Sequence, residues 1–327
     1  MLTSRPLGGT GLAVSPIGLG LAAVGRPAYI DVGREADLGA DRSVDTMERR
    51  AHELLDAAHT AGIRYVDAAR SYGLAERFLG SWLAGRGSAP GSPTVGSKWG
   101  YRYVGGWRLD APVHEVKDHS LAALQRQYAE SRAELGDWLL LYQVHSATLE
   151  SGILEDAAVL GLLDRMRRQG LAIGLTVSGP RQAEVIRRAI DVRVDGECPF
   201  GSVQATWNLL ERSAGPALAE ARRAGCGVIL KEVLANGRLS GRDTFAGGAL
   251  AAIAAREGVG MDAIAIAAAL ANPWVDVVLS GAVTVSQLQS NLEAPSVRLT
   301  AAELDALAAL AEPAERYWSE RQALPWS

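Results

Sequence analysis

The chain has 327 residues, 48% of them hydrophobic and 21% charged, with a formal net charge of −4 and a sequence pI near 5.8. This is ordinary globular composition with enough length for a large core, and the absence of a basic stripe argues against a nucleic-acid partner. The apolar N-terminus is broken by Gly and Pro and does not read as a signal peptide, and the run AIAIAAALANPW is too short to span a bilayer. Two cysteines, Cys198 and Cys226, make no disulfide framework and fit a reducing compartment, so a soluble cytoplasmic protein is expected.

Short β-rich runs alternate with amphipathic helical stretches along the whole chain. A small hairpin with the turn GGTG precedes the first strand, VSPIGLG, and a long charged loop covers about 21–45. The helix MERRAHELLDAAHTAG, stopped by Gly62, leads to the strand IRYVD and the helix AERFLGSWLAG. PTVGSK is the third strand. A long helix is expected over 113–136, with Pro112 at its start, before the strand DWLLLYQVH and the helix at 153–170. LAIGLTVSG, SVQATWN and CGVILKEV are strands five to seven, with helices RQAEVIRRAID and GPALAEARRAG between them. Two Ala-rich helices, around Ala249–Glu257 and Asp262–Ala271, precede strand eight, VDVVLSG, and the helix VSQLQSNLEA. The tail, AERYWSERQALPWS, is expected to fold back over the barrel mouth.

Eight β-α units imply parallel pairing, right-handed crossovers and closure into a (β/α)8 barrel, read as one domain over 1–327. The rival, an open doubly wound sheet, wants a glycine-rich phosphate loop after its first strand. GLGLAAVG is not GxGxxG.

Asp67 closes IRYVD, Tyr72 follows in AARSYG, Lys98 closes PTVGSK and His145 closes DWLLLYQVH. All four fall at carboxyl ends of strands, where barrel active sites form. Tyr72 is the natural general acid, with Lys98 expected to lower its pKa, Asp67 to hold Lys98 charged, and His145 to donate to a carbonyl oxygen. No metal-ligand spacing is present. Read singly, Asp67 and Lys98 serve equally well as a structural ion pair. Trp99, Tyr101, Tyr103 and Trp107 crowd the segment after Lys98. Trp99, Trp107 and Trp207, with the loops after strands one and seven, are expected as substrate walls or as a packed cover.

The stretch GIRYVDAARSYGLAE resembles the signature of the aldo-keto reductase family, with Asp67, Tyr72, Gly73 and Glu76 at matching spacings and Ala68 in place of the usual Thr. GSKWG and LGDWLLLYQVH resemble the segments that carry the family's lysine and histidine, giving Lys98 and His145. The resemblance covers nearly the whole chain. It implies hydride transfer between a nicotinamide cofactor and an aldehyde, ketone or sugar hemiacetal, with Tyr72 giving or taking the proton. It also implies cofactor contacts from Ser178, Gln204, Lys231, Leu234, Gly281, Thr284, Gln287 and Asn291. The chain departs from the pattern at Gly179 (usually Asn), at Lys231 (usually a stacking Tyr) and at Val283 (usually a basic residue facing the 2′-phosphate of NADP). The start of the last helix can still hold a phosphate through its amides. Members resembling L-galactose and D-threo-aldose dehydrogenases lack that basic residue and use NAD, so NAD or dual use is expected over strict NADP use. A small-molecule carbonyl or sugar is the expected partner. Two other readings stay open: a cofactor-binding, non-catalytic regulatory subunit like the family's ion-channel accessory proteins, and a redox-neutral enzyme that keeps the four residues.

Overall fold

The structure is a computed structural model that describes residues 2–30, 32, 34–86, 91–242 and 248–326. Eight strands are parallel and close on themselves, and helices pack around them. In chain order, a hairpin of β1 (Arg5–Pro6) and β2 (Ala13–Val14) precedes β3 (Ile17–Gly20), β4 (Tyr65–Asp67) and β5 (Thr94–Trp99). A second antiparallel pair, β6 (Tyr101–Tyr103) and β7 (Glu115–Lys117), extends above β5. The barrel continues with β8 (Leu139–Ala147), β9 (Ala172–Val177), β10 (Ser202–Thr206), β11 (Gly227–Lys231) and β12 (Val277–Ser280), and β12 pairs with β3 to close it. The N-terminal hairpin plugs the amino end of the strands, where Leu7 and Val14 pack on Tyr65, Leu141, Ile229 and Val277.

Helix starts are set by local side chains. Ser43 accepts from the Thr46 amide and opens the helix Val44–Thr60, three residues earlier than the periodicity alone suggests. The long helix expected over 113–136 is shorter. Its first residues instead pair as a strand, with Tyr103 opposite Glu115 and Tyr101 opposite Lys117, and the helix runs Leu121–Leu135. The reason is Ser120, whose hydroxyl accepts from the Ala123 amide and satisfies an otherwise orphaned donor. Pro112 is therefore not the helix start. The tail forms the helix Ala314–Gln322, and Trp318, Arg321 and Trp326 reach the mouth of the barrel as expected.

Period-two alternation places the functional residues. On β4, β5 and β8 the residues Asp67, Lys98 and His145 point into the barrel, and their neighbours Val66, Trp99 and Val144 join the layer between sheet and helices. The same rule buries Trp207 beyond Thr206, edge-on to Trp274 at 5.9 Å. Trp99 is fully buried against the ring of His119. Trp107 donates its indole N–H to the Arg42 carbonyl at 2.8 Å and packs edge-on to Phe78. None of these three tryptophans lines the central cavity. Their expected role as substrate walls is corrected: Trp99 and Trp207 are core residues, and Trp107 ties down a loop.

The loop carrying Tyr72 interlocks with the loop after β3. Gly73 has φ +62, and a Cβ there would lie 2.4 Å from the Gly25 carbonyl oxygen. A Cβ on Gly25 would in turn lie 2.4 Å from the Tyr72 carbonyl oxygen. The backbones thus touch where side chains would stand, and Leu74 donates its amide to Gly25 at 2.7 Å. Gly73→Ala combines a left-handed backbone with a backbone clash and should destabilise the protein by about 2–4 kcal/mol. Urea denaturation checks this, and an unchanged midpoint would contradict the interlock.

Candidate active site

A cavity of about 780 Å³ opens at the carboxyl ends of the strands. Asp67, Tyr72 and His145 line it, and Lys98 lies directly behind them, fully buried. The Lys98 ammonium donates to Asp67 Oδ1 and, at 2.9 Å, to the Ala68 carbonyl. Asp67 Oδ2 accepts from the Tyr65 hydroxyl at 3.0 Å, from Gln204 at 2.9 Å and from Gln143 at 3.3 Å. The pair is thus held by five hydrogen bonds, the kind of support a buried ion pair needs to offset its desolvation. Burial lowers the Lys98 pKa, and the Asp67 carboxylate opposes that shift.

Tyr72 presents its ring to three groups. Lys98 Nζ lies 4.6 Å from the ring centroid, the Arg26 guanidinium lies 5.2 Å away, and the His145 ring meets it edge-on at 5.4 Å. The expected lowering of the Tyr72 pKa does not occur. Burial holds the phenol well above its ordinary value, the Asp67 charge adds to this, and Arg26 opposes it. The Asp67 carboxylate beside Lys98 counts against the ammonium's pull on the phenol. Tyr72 is therefore a protonated donor at rest. His145 is held neutral, because burial and then the charges of Lys98, Lys231 and Arg26 push its pKa well below the usual value. Its Nδ1 lies 3.3 Å from the Ser71 hydroxyl, and its carbonyl accepts from His119 Nε2 at 2.9 Å.

The carboxyl end of β11 departs most from the expected cofactor seat. Lys231 lines the cavity and donates to Thr206 Oγ1 at 2.9 Å. Glu232 has φ +55, a left-handed conformation costing a non-glycine residue on the order of 1 kcal/mol. Its carboxylate takes both Nε and Nη2 of Arg321 from the tail helix, at 2.7 and 2.5 Å. Lys231 lies 3.8 Å from the same carboxylate. Arg321 and Lys231 together pull the Glu232 pKa down to about 2 against its burial.

Ser178, Gln204, Leu234, Gly281, Gln287 and Asn291 all line the cavity, as expected, whereas Thr284 does not. Thr284 caps the helix Val285–Asn291 by accepting from the Gln287 amide. Gln287 Oε1 accepts from the Val283 amide at 2.9 Å, and its Nε2 donates to Asp37 at 2.7 Å. Asn291 bridges Ser280 and Asp262. Two amides at this helix start, those of Val283 and Gln287, are thus answered by the chain's own side chains. A Cβ at Gly281 or at Gly179 would meet no atom within 4 Å, so the wall there is open. A cavity of this size, with an open glycine wall and polar groups from five barrel strands, fits a dinucleotide.

Arg26, Glu115 and Asp37, which the sequence did not single out, line the cavity beside Arg321 and Trp326 of the tail. Arg26 pairs with Glu115 at 2.7 Å and is enclosed by the rings of Tyr29, Tyr72 and Trp326. Arg26 lies in the loop after β3, already expected to be a wall. Arg321 had no local signal, since its partner is 89 residues away. Part of the loop after β11 that was expected to form a wall, residues 243–247, lies outside the described residues.

The family model for "Aldo/keto reductase family" matches residues 17–312. The protein named aldo-keto reductase ausK from Emericella nidulans is 25% identical over 327 aligned residues, covering 91% of this chain and 78% of that protein. Among solved structures, aldo-keto reductase AKR11C1 from Bacillus halodurans in its holo form superposes with a TM-score of 0.73 at 24% identity, covering 96% of this chain and 98% of that one. Glycerol dehydrogenase AKR11B4 from Gluconobacter oxydans gives a TM-score of 0.70 at 21% identity, with 94% of each chain covered. At these identities the two structures speak for the fold alone, and the family match spans nearly all of the barrel. The chain belongs to the aldo/keto reductase family and is an NAD(P)-dependent oxidoreductase that acts on carbonyl compounds.

Proposed function

We propose that Tyr72 is the general acid and base of a carbonyl–alcohol interconversion, with His145 as the neutral hydrogen-bond donor to the substrate oxygen and Lys98, held by Asp67, as the charge behind the phenol. The observation that carries this reading is the convergence of one protonated phenol and one neutral imidazole on the same cavity, backed by a buried, hydrogen-bonded ion pair. When bound, the nicotinamide supplies or takes the hydride. Tyr72 then gives its proton to the oxygen that gains charge, and the Lys98 ammonium stabilises the phenolate left behind. Because burial keeps Tyr72 protonated at rest, the site is poised for reduction. A neutral imidazole donates without competing for the substrate's proton.

Tyr72→Phe keeps the ring and removes the transferable proton. It should lower kcat about 10²–10⁴-fold with an unchanged unfolding midpoint, and full activity in this variant would sink the assignment. The neutral state of His145 carries a pH consequence. With its pKa held well below the usual imidazole value, kcat/KM for a neutral aldehyde should show no titration around the ordinary histidine pKa of about 6.5. A limb near pH 6.5 would show a charged His145 instead.

We further propose NAD as the preferred cofactor. Val283 is buried and does not line the cavity. Among the described residues at that end, the lining cation Arg242 is held by Asp37, and a second carboxylate, Asp262, stands close by. Carboxylates accept from ribose hydroxyls and repel a phosphate. Fluorescence titration should show NADH binding at least about tenfold tighter than NADPH, and a preference for NADPH would refute it.

A further inference from the structure

Among the described residues, the inner end of the cavity carries one cation more than its carboxylates can hold. Asp67, Glu115 and Glu232 each have a dedicated partner in Lys98, Arg26 and Arg321. Lys231 is the fourth cation. Its nearest carboxylate, Glu232, is 3.8 Å away, beyond hydrogen-bond reach, and is already gripped at both oxygens by Arg321. The Lys231 ammonium has three N–H donors, of which one meets the Thr206 hydroxyl. Period-two alternation on β11 points this side chain inward, where its charge is one of those that hold His145 neutral. A cation with a shared counter-ion and unused donors, facing a cavity, is a seat for an anion.

We propose that Lys231 selects substrates that carry one carboxylate, seating that group on its ammonium while the reacting carbon faces Tyr72 and His145. This rests on the reading of Tyr72 and His145 given above. A single surplus charge matches a carboxylate monoanion better than a phosphate dianion. The environment agrees: burial lowers the Lys231 pKa to about 8, with Glu232 and Asp67 opposing and Arg321 and Lys98 reinforcing that shift. The neighbouring His145 is neutral. Below pH 8 the ammonium is present and able to bind; above it the seat loses its charge.

The test compares matched pairs with NADH: succinate semialdehyde against butanal, 4-carboxybenzaldehyde against benzaldehyde, and glyceraldehyde 3-phosphate against glyceraldehyde. The acid member of each carboxylate pair should have a kcat/KM about tenfold higher than its neutral partner, chiefly through KM, corresponding to one charge-assisted hydrogen bond. The phosphate pair should show a smaller ratio. The ratio should fall toward one as pH rises past about 8. It should collapse in Lys231→Met and be restored in Lys231→Arg, which keeps the charge. Turnover of the neutral aldehydes that depends on Tyr72, with acid-to-neutral ratios near one, overturns the proposal and leaves the Tyr72 reading intact. Turnover of no pair member counts against the Tyr72 reading, and the seat is then read by calorimetry with benzoate against benzamide. Tighter benzoate binding lost in Lys231→Met supports it, and equal binding overturns it.

Discussion

The ion pair between Asp67 and Lys98 is the constraint around which the site is built. A charge pair in the middle of a barrel is costly to desolvate, and its attraction alone does not offset that cost. This barrel answers with donors from three further strand positions, Tyr65, Gln143 and Gln204, all aimed at Asp67 Oδ2. The ammonium gains the Ala68 carbonyl as well. The result is a charged floor braced by hydrogen bonds from its own strands. Above it the phenol of Tyr72 stays protonated and the imidazole of His145 stays neutral. Both states follow from burial first and from charge second. The same pair that makes Tyr72 a proton donor therefore also explains why Lys98 does not turn it into a phenolate at rest.

The second layer of charge is built differently. Glu232, Arg321, Arg26 and Glu115 come from the end of β11, the tail helix, the loop after β3 and the strand pair above β5. These elements come together around the reacting end of the cavity. Trp326 stacks on His114 at 4.3 Å and covers Arg26, so the segment beyond the tail helix forms part of the wall. At the opposite end, Asn236 donates to the Ile30 carbonyl and accepts from the Val32 amide, joining the loop after β11 to the loop after β3. The cavity is thus an inner reacting end with an excess of positive charge and an outer end edged by carboxylates.

Eight β-α repeats, the strand-end positions of Asp67, Lys98 and His145, and the loop position of Tyr72 are all legible in the sequence. Strand alternation and helix periodicity are local properties, and each residue's direction follows from its neighbours. The same rule was available for Trp99 and Trp207, which sit one position past an inward residue and so face the helices. Aromatic crowding was the misleading signal there. The helix boundary at Ser120 was also a local signal, since a serine ahead of an apolar period is a cap.

What only the tertiary structure decided are the pairings across long stretches of chain. Gln204 reaches Asp67 across 137 positions, and Gln287 reaches Asp37 across 250. Arg321 rather than Lys231 holds Glu232, which leaves Lys231 as the surplus cation. Such partners depend on how loops and tail converge after the barrel closes, and no periodicity encodes that. Protonation states belong to the same class, because burial and summed fields set them. The amino-acid order by itself therefore determined the barrel and the identity of the four central side chains. The enclosed volume, once formed, decided which of them carry charge and which charge is left over.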